Sequence, residues 1–525
     1  MAFADVVHAD DRATHHVVNV GARWDAVWRG LSAGLLVAAA LPPFGWWPAA
    51  LIGLAWWWHL LGDQPWPRRL LISWMVGLAN FAVGISWFSE FSVPGYVISA
   101  VGEAGFWAAA GTVGGGDRRR WWMFPAALVV GDFARKSWPF GGIPLAGVEL
   151  GQAAGPLAPA ARIGGHLAVV AAAALVGVSL ALAVVAARAR SLPPSAGGLE
   201  RPRTDWRAAL ARAGRAGSFV SLAIAVTAVA AGIVVPTGTV TGSIRVAAVQ
   251  GGGPRGFTES ESSAVEVFRR HVEATNMVEE GVDLIVWPED VVDVFGTFED
   301  SPEAEVMAGI ARRFDTTVTA GIVEDGDGFR FYNAAVAWSP DGEIVGRYDK
   351  VRRVPYGEYF PFRSLVEKVA TIPSRDAIPG DGPGFIDTPA APLGFSISYE
   401  GFFADRARAS VNAGAELLLV PTNAASFSGS IVPSQQLAAA RLRTWETGKW
   451  VVQAGPTGFT AVIDDRGRIV ARTDLSARQV LHERVVLRSG RTPYVVLGDW
   501  PIVGLALAIV AIAGGGGLRA RRAGT

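Results

Sequence analysis

Three short segments of the chain carry the side chains that acyl-transfer chemistry requires. Glu289 follows Trp287 and Pro288 at the end of an apolar run, Lys350 follows a predicted strand, and Ser398 lies at the end of another. A carboxylate can act as a general base, and a protonated lysine beside carboxylates can stabilise a developing oxyanion. A serine hydroxyl can act as a nucleophile when a base lies next to it. The three segments therefore predict a base, an oxyanion stabiliser and a nucleophile.

Taken singly, each segment also has a structural interpretation. A carboxylate such as Glu289, after a strand and a proline, is often a helix N-cap or a first-turn acid. The basic run around Lys350 is also typical of a solvated face or a lipid-headgroup contact, and Ser398 is also typical of a structural serine at a strand end. The functional interpretation depends on the order and spacing of all three, with about 60 residues between the first two and about 50 between the last two.

The elements that must position these residues alternate between strands and helices over residues 243–490. Apolar runs rich in Val and Ile predict the strands, and polar periodic segments between them predict the helices. Pro340-Asp-Gly342 and Asp464-Asp-Arg-Gly467 are typical of hairpin turns. Such alternation predicts a layered α/β fold with its site at strand ends. The predicted strands are Ser243–Gln250, Asp283–Trp287, Thr316–Val323, Tyr332–Trp338, Phe395–Tyr399 and Leu417–Pro421, and the predicted helices are 403–413 and 434–448.

Composition indicates that much of the remaining chain lies in a membrane. Half of the 525 residues are apolar, only 18% are charged and 20 are tryptophan, whereas soluble proteins carry more charge. The formal net charge is zero, which gives no support for a nucleic-acid partner. The chain has no cysteine, which excludes disulfides, thiolate metal sites and a thiolate nucleophile. The polar first 20 residues predict no cleavable signal peptide.

Apolar runs close to the length of a bilayer crossing form two blocks. Arginine-rich loops alternate with loops almost free of basic residues, which predicts cytoplasmic termini and an extracytoplasmic α/β domain. The predicted units are a cytoplasmic tail (1–25), a membrane bundle of about seven spans (26–236), the α/β domain (237–490) and a last span with a basic tail (491–525). The Gly- and Pro-rich segment 136–162 could be re-entrant or interfacial, so the number of spans varies by one. The predicted spans are 26–42, 46–62, 69–89, 94–114, 121–135, 165–187, 216–236 and 494–514.

The order of the three segments resembles the Glu-Lys-Cys pattern of the nitrilase superfamily. Together with the predicted spans, it resembles the apolipoprotein N-acyltransferase family, and Leu41-Pro-Pro-Phe-Gly45 also resembles that family's membrane half. The resemblance covers about residues 26–514. It implies an α-β-β-α nitrilase-like sandwich attached to a multi-pass helical bundle of about eight spans in the cell membrane.

The resemblance also implies a role for each candidate residue. Glu289 matches the family's base, Lys350 matches its oxyanion-stabilising lysine, and Ser398 stands at the position of its nucleophilic cysteine. The supporting residues that it implies are Glu358, Tyr399 and Glu400. The implied reaction moves an acyl chain from a phospholipid, through an acyl-enzyme, to the N-terminal S-diacylglyceryl-cysteine of a lipoprotein. The implied partners are therefore that phospholipid, the lipoprotein and the membrane, with no metal and no soluble cofactor.

Departures from the family pattern cluster near the site. Ser398 replaces the cysteine, and Asn423-Ala-Ala-Ser-Phe427 stands where the family usually reads Asn-Asp-Ala-Trp-Phe, so Ala424 replaces an acid and Ser426 a tryptophan. The pKa of a hydroxyl lies far above the value of about 8.5 for a thiol, which predicts slow acylation. An engineered Cys→Ser trap would change one position, so three departures favour natural divergence over an engineered variant.

Two other functions are open to this sequence. A member of the family that has lost catalysis could act as a membrane scaffold for a polyprenol-phosphate mannose synthase, since the chain's high Ala, Gly and Arg usage resembles actinobacterial members linked with such enzymes. The Arg-rich segment 188–215 would then be the contact. A membrane-tethered nitrilase-type amide hydrolase would need only one span, so about eight predicted spans disfavour it.

Three ionisable residues of the predicted bundle are minor candidates. Arg135 and Lys136, at the end of the fifth predicted span, could contact a lipid phosphate, although snorkelling to the interface is a common alternative. His166 is an ionisable residue inside the sixth predicted span, which by default suggests a function. Its position near a helix end weakens that interpretation.

Overall fold

The computed structural model describes residues 23–90, 92–191, 206–254, 263–367, 375–424 and 430–522. Its first half is helical, and its second half is an α/β domain followed by a final helix. The helices before the domain are α1 (23–38), α2 (Trp47–Leu61), α3 (Trp66–Gly84), α4 (Val93–Gly114), α5 (Met123–Arg135), α6 (Val148–Gln152), α7 (Ala161–Ser191) and α8 (Trp206–Val234). The later helices are α9 (Ala264–Thr275), α10 (Pro302–Phe314), α11 (Arg363–Val366), α12 (Ala404–Asn412), α13 (Val432–Thr447), α14 (Pro493–Leu497) and α15 (Trp500–Arg522).

Each of the eight predicted spans overlaps one of these helices. By length and apolar composition, two helical stretches in the described part of the chain can cross a membrane, Ala158–Ala189 and Ala211–Val234, and Trp500–Ala513 is a shorter apolar helix. The Gly- and Pro-rich segment after α5 folds into the short helix α6 and adjoining turns. Prolines at the first turns of α2, α3 and α4 set where these helices begin, because proline fits that position without losing a hydrogen bond.

The α/β domain contains two sheets. The first has the strand order β14-β1-β2-β4-β5-β6, with β3 paired to β4 and β7 to β5, and the second has the order β13-β12-β11-β10-β9-β8. The strands are β1 (Val240–Gln250), β2 (Leu284–Val286), β3 (Val292–Asp293), β4 (Thr317–Gly326), β5 (Arg330–Trp338), β6 (Ile344–Asp349), β7 (Asp376–Ala377), β8 (Phe385–Asp387), β9 (Pro392–Phe395), β10 (Leu417–Pro421), β11 (Trp450–Ala454), β12 (Ala461–Ile463), β13 (Ile469–Arg472) and β14 (Gln479–Arg488).

Three apolar clusters make this domain a four-layer α-β-β-α sandwich. Side chains of both sheets, including Val246 and Leu284 of the first and Leu393 and Leu419 of the second, form the inner cluster. Residues of α9 and α10 pack on the outer face of the first sheet, and residues of α12 and α13 pack on the outer face of the second. Buried apolar area of this kind is the main favourable term in folding. The nitrilase-like sandwich expected from the resemblance is therefore confirmed.

One predicted strand ends earlier than expected. The prediction extended Phe395–Tyr399 as one strand, but β9 ends at Phe395 and a 3-10 turn runs over Ser398–Phe402. The cause is local backbone geometry, because Ser398 has a positive φ of 52° and no strand residue adopts that conformation. Apolar side chains continue through Ile397, so the pattern alone could not reveal the turn.

The α/β domain and the helices share an apolar core. Phe402, Phe403 and residues of α13 belong to the same buried cluster as α2, α3, α4 and α7. Gln435, fully buried on α13, donates to the carbonyl oxygen of Gly84 (2.7 Å) and accepts from the backbone N–H of Ala146 (3.0 Å). Helix α13 is therefore fixed to two backbone segments of the helical half.

We expect Gln435→Leu to lower the free energy of unfolding by about 2–6 kcal/mol, because it leaves two buried backbone groups without partners. Thermal unfolding of the detergent-solubilised chain measures the effect, and Ser434→Ala on the same helix is the control. Equal unfolding midpoints for the two variants would show that the junction does not depend on these hydrogen bonds.

Candidate active site

A buried lysine joins two carboxylates. Lys350 Nζ donates to Glu289 Oε1 (2.8 Å) and to Glu358 Oε1 (2.6 Å). Asn333 Nδ2 donates to the same two oxygens, at 3.0 Å and 3.3 Å. Lys350 is only 2% exposed. One cation and one amide therefore hold both carboxylates in a fixed arrangement.

The ends of β2 and β6 position this cluster, with hydrogen bonds to β4 and β5. Glu289 follows β2 through Pro288, whose carbonyl oxygen accepts from the backbone N–H of Gly321 in β4 (2.9 Å). Lys350 follows β6, and its backbone N–H donates to the carbonyl oxygen of Asn333 in β5 (2.8 Å). The tight turn that carries Glu358 is closed by its own carboxylate, since Oε2 accepts from the backbone N–H of Val354 (2.8 Å).

Lys350 is cationic in this site. Burial by itself lowers the pKa of a lysine, but the carboxylates of Glu289 and Glu358 outweigh burial and raise the pKa of Lys350 above its ordinary value. With two carboxylates and one ammonium, the cluster carries a formal charge of −1. Such a cluster can accept a proton while it keeps a positive charge in place.

Ser398 lies on a strained turn. Its φ of +52° falls in the left-handed region, which costs a non-glycine residue about 1–3 kcal/mol and is enriched at functional sites. The side chain is half-buried. The turn follows β9 and precedes α12, so the hydroxyl is presented at the end of a strand as in a nucleophile elbow.

The buried carboxylate of Glu400 joins the Lys350 loop to the Ser398 turn. Its Oε1 accepts from the backbone N–H groups of Val351 (2.8 Å) and Arg352 (3.0 Å), and its Oε2 accepts from the backbone N–H of Ile397 (2.9 Å). The hydroxyl of Tyr348 donates to both oxygens. Burial raises the pKa of Glu400, while the backbone donors oppose that rise.

Ser398 and the lysine cluster line one cavity of about 470 Å³. A second cavity of about 350 Å³ lies at the junction with α4, and its walls include Ile98, Phe106 and Ile143. Both cavities share the residues Trp87, Phe88, Leu145, Val354, Pro355, Tyr356 and Tyr399. The candidate site therefore adjoins an apolar cavity between the two halves of the chain.

Tyr399 lines both cavities and contacts the helical half. Its hydroxyl donates to the carbonyl oxygen of Gly142 in the α5–α6 connection (2.9 Å), and its ring packs edge-on against Phe403. Burial raises the pKa of Tyr399, so it stays a neutral donor.

Two of the three sequence departures lie within the described residues. Asn423 Nδ2 donates to Asp290 Oδ2 (2.6 Å), and both residues line the larger cavity. Ala424 is buried next to Asn423, and Ser398 has been described above. Ser426 lies outside the described residues.

Sequence reasoning missed Asn333 and Asp290 as residues of the site. Asn333 interrupts an otherwise apolar stretch of β5, and this buried amide was the available signal. Asp290 follows Glu289 directly and also has a positive φ, of 56°. With Asp293, it brings the acids that line the cavity of Glu289 and Glu358 to four.

The minor candidates of the helical half lie in buried ionic contacts. Arg135 is fully buried and pairs with Asp132 (2.6 Å) and Glu103 (3.3 Å), so it neither snorkels nor faces a lipid phosphate. Lys136 pairs with Asp132 (2.6 Å) and Glu149 (2.8 Å). The backbone N–H of His166 donates to Glu446 of α13 (2.9 Å). Arg135 and Lys136 therefore stabilise the helical half, and His166 connects α7 to α13.

Comparison with known proteins matches both halves of the chain. The family model described as carbon-nitrogen hydrolase matches residues 245–491, and the apolipoprotein N-acyltransferase N-terminal domain matches residues 33–179. The apolipoprotein N-acyltransferase of Methylococcus capsulatus is 30% identical over 92% of this chain and 94% of its own length. That of Mycolicibacterium smegmatis is 30% identical over 92% of this chain and 83% of its own. Among solved structures, Nit3 of Saccharomyces cerevisiae, a nitrilase-superfamily member, has 20% identity and a TM-score of 0.37, covering 47% of this chain and 91% of its own.

We expect Gly321→Ala to displace Glu289, because a Cβ at Gly321 would overlap Cα of Glu289 and the carbonyl oxygen of Pro288. Overpacking of this kind costs about 1–3 kcal/mol. The control is Gly309→Ala, since a Cβ there meets nothing within 4 Å. Activity of the two variants is compared at equal amounts of folded protein, and equal activities would contradict the expected displacement.

We expect Glu400→Gln to destabilise the chain by about 1–3 kcal/mol, because an amide NH₂ replaces an oxygen that now accepts hydrogen bonds. The Lys350 loop and the Ser398 turn should also lose their alignment, so activity should fall. Exposed Glu279→Gln is the control. Unchanged stability and activity in Glu400→Gln would show that Glu400 does not join the two segments.

Proposed function

This chain belongs to the apolipoprotein N-acyltransferase family, and we propose that it transfers an acyl chain from a phospholipid to the N-terminal S-diacylglyceryl-cysteine of a lipoprotein. The strongest support is the Lys350 cluster, which shares one cavity with Ser398 and adjoins an apolar cavity at the helical half. That combination suits an acyl ester whose chain is apolar and whose reacting carbonyl needs a base and a cation.

In the first half-reaction, Ser398 Oγ attacks the ester carbonyl of the phospholipid and its proton passes to Glu289. Both hydrogen bonds to Glu289 reach Oε1, so Oε2 is the oxygen that takes this proton. Lys350 stabilises the oxyanion of the tetrahedral intermediate. The carbon–oxygen bond to the glycerol then breaks, and protonated Glu289 returns the proton to the departing lysophospholipid alcohol.

In the second half-reaction, the α-amino group of the lipoprotein cysteine attacks the ester on Ser398. Glu289 accepts a proton from the attacking amine, and the amide forms as the bond to Ser398 Oγ breaks. The proton returns to Oγ, which restores the serine. The fixed pair of carboxylates around Lys350 keeps the cation in place through both halves.

Both substrates are held in a lipid bilayer, so the function requires a membrane-bound enzyme. We propose that the helical half forms a multi-pass bundle of about eight spans, with the termini in the cytoplasm and the α/β domain outside it. Large apolar side chains exposed on α8 and α15 support contact with lipid, among them Phe219 (74%), Val234 (76%) and Ile512 (77%). The suggested mannose-synthase contact, 188–215, contains residues 192–205, which lie outside the described residues, so that partner stays a prediction.

We expect incubation of the purified chain with phospholipid to place an acyl adduct on Ser398, detected by mass spectrometry of its peptide. Ser398→Cys should form the adduct at least about tenfold faster, because a few per cent of a thiol is ionised near neutral pH. Ser398→Ala should form none. Full N-acyl transfer to a diacylglyceryl peptide by Ser398→Ala would overturn the proposal.

A further inference from the structure

A third cavity adjoins the apolar one, and Phe140 and Tyr399 line both. It has a volume of about 300 Å³, at the lower end for ligand pockets. The loop after Lys350, the first turn of α12 and the α5–α6 connection form its walls. The charged residues that line it are Arg352, Arg353, Arg406 and Asp405. The carboxylate of Glu400 lies 3.8 Å from Arg406 behind the wall, so three guanidinium groups face two carboxylates and leave an excess of one positive charge.

Aromatic rings hold each of the three guanidinium groups. Arg352 lies over Phe403 at 4.2 Å, and Arg353 lies over Tyr359 at 4.3 Å. The guanidinium of Arg406 lies 5.9 Å from the ring of Tyr348. Stacking limits side-chain motion and leaves the edge of each planar group able to donate hydrogen bonds.

The existing hydrogen bonds use only part of the donor capacity. Arg353 Nη1 donates to the carbonyl oxygen of Ala377 (2.8 Å), and Arg352 donates to Asp405 Oδ2 (2.6 Å) and to the carbonyl oxygen of Gly141 (3.3 Å). Each guanidinium has five N–H donors. Fixed arginines with donors to spare suit a phosphate, which they can bind through paired hydrogen bonds.

The surroundings of this cavity suit an amphiphile. Phe140 and Tyr399 line both this cavity and the apolar one. Trp138 (68% exposed) and Phe362 (70% exposed) lie close by, and the Phe362 ring is 5.8 Å from that of Phe140. Exposed aromatic residues beside a charged pocket are typical of the headgroup level of a membrane protein.

We propose that this arginine cavity binds the phosphate group of a membrane phospholipid. The role of that lipid as acyl donor rests on the function proposed above, whereas the binding itself does not. Asp405 limits the affinity, because its carboxylate pairs with Arg352 and repels the phosphate.

The test measures lipid binding by the full-length Ser398→Ala chain, which cannot turn over, with native mass spectrometry in detergent. The probes are phosphatidylethanolamine, diacylglycerol with the same chains, and inorganic phosphate.

We expect Arg353→Gln to weaken phosphatidylethanolamine binding about tenfold, because one charge-assisted hydrogen bond is lost. Asp405→Asn should strengthen it, and neither change should alter diacylglycerol binding. The control is Arg312→Gln, which removes an exposed charge on α10.

Three results would overturn the phospholipid site. The first is phospholipid affinity that neither cavity variant changes. The second is an equal loss of affinity for diacylglycerol and for phospholipid. The third is inorganic phosphate that binds as tightly as phospholipid, which would identify a site for the free ion. The opposite signs expected for Arg353→Gln and Asp405→Asn separate binding from misfolding.

Failure of this site and failure of the proposed function are distinguishable. Arg353-dependent phospholipid binding without an acyl adduct on Ser398 would keep the site and reject the function. Acyl transfer with phospholipid binding that does not depend on Arg353 would keep the function and reject the site.

Discussion

The geometry of the candidate site depends on the buried carboxylate of Glu400. Removing a carboxylate from water is costly unless hydrogen bonds replace its hydration, and Tyr348 with three backbone N–H groups supplies them. Two of those N–H groups follow Lys350 and one precedes Ser398. A residue that takes no part in bond making therefore sets the relation between the cation and the hydroxyl.

A second constraint is the balance of charge around Lys350. A lone buried ammonium would lose its proton, and two lone buried carboxylates would repel each other. Placed together, with Asn333 donating to both acids, the three groups keep one positive and two negative charges within hydrogen-bond distance. The arrangement therefore places carboxylates and a cation side by side, as the proposed base and oxyanion stabiliser require.

Local pattern predicted β1, β2, β4, β5 and β10 among the fourteen strands described, and the strand ends that carry Glu289 and Lys350. It could not predict the turn at Ser398, since the apolar pattern continues through Ile397 while the backbone leaves the strand. Nor could it predict contacts between distant segments. Gln435 reaches Gly84 across 351 positions, and Arg135 reaches Glu103 across 32. Such contacts depend on how the folded helices and strands pack against one another, and a single sequence contains no periodic signal for them.

Serine at position 398 could affect the placement of the side chain or its acidity. Placement depends on the backbone, through the positive φ of Ser398 and the hydrogen bond from the backbone N–H of Ile397 to Glu400. Neither feature involves the side-chain atom that distinguishes serine from cysteine. The lysine cluster is likewise held by its own hydrogen bonds. In the proposed mechanism, the exchange of sulfur for oxygen therefore changes the acidity of the side chain at position 398 and none of these contacts. The cost of serine in that mechanism is chemical, and it falls on the rate at which Glu289 would remove the hydroxyl proton.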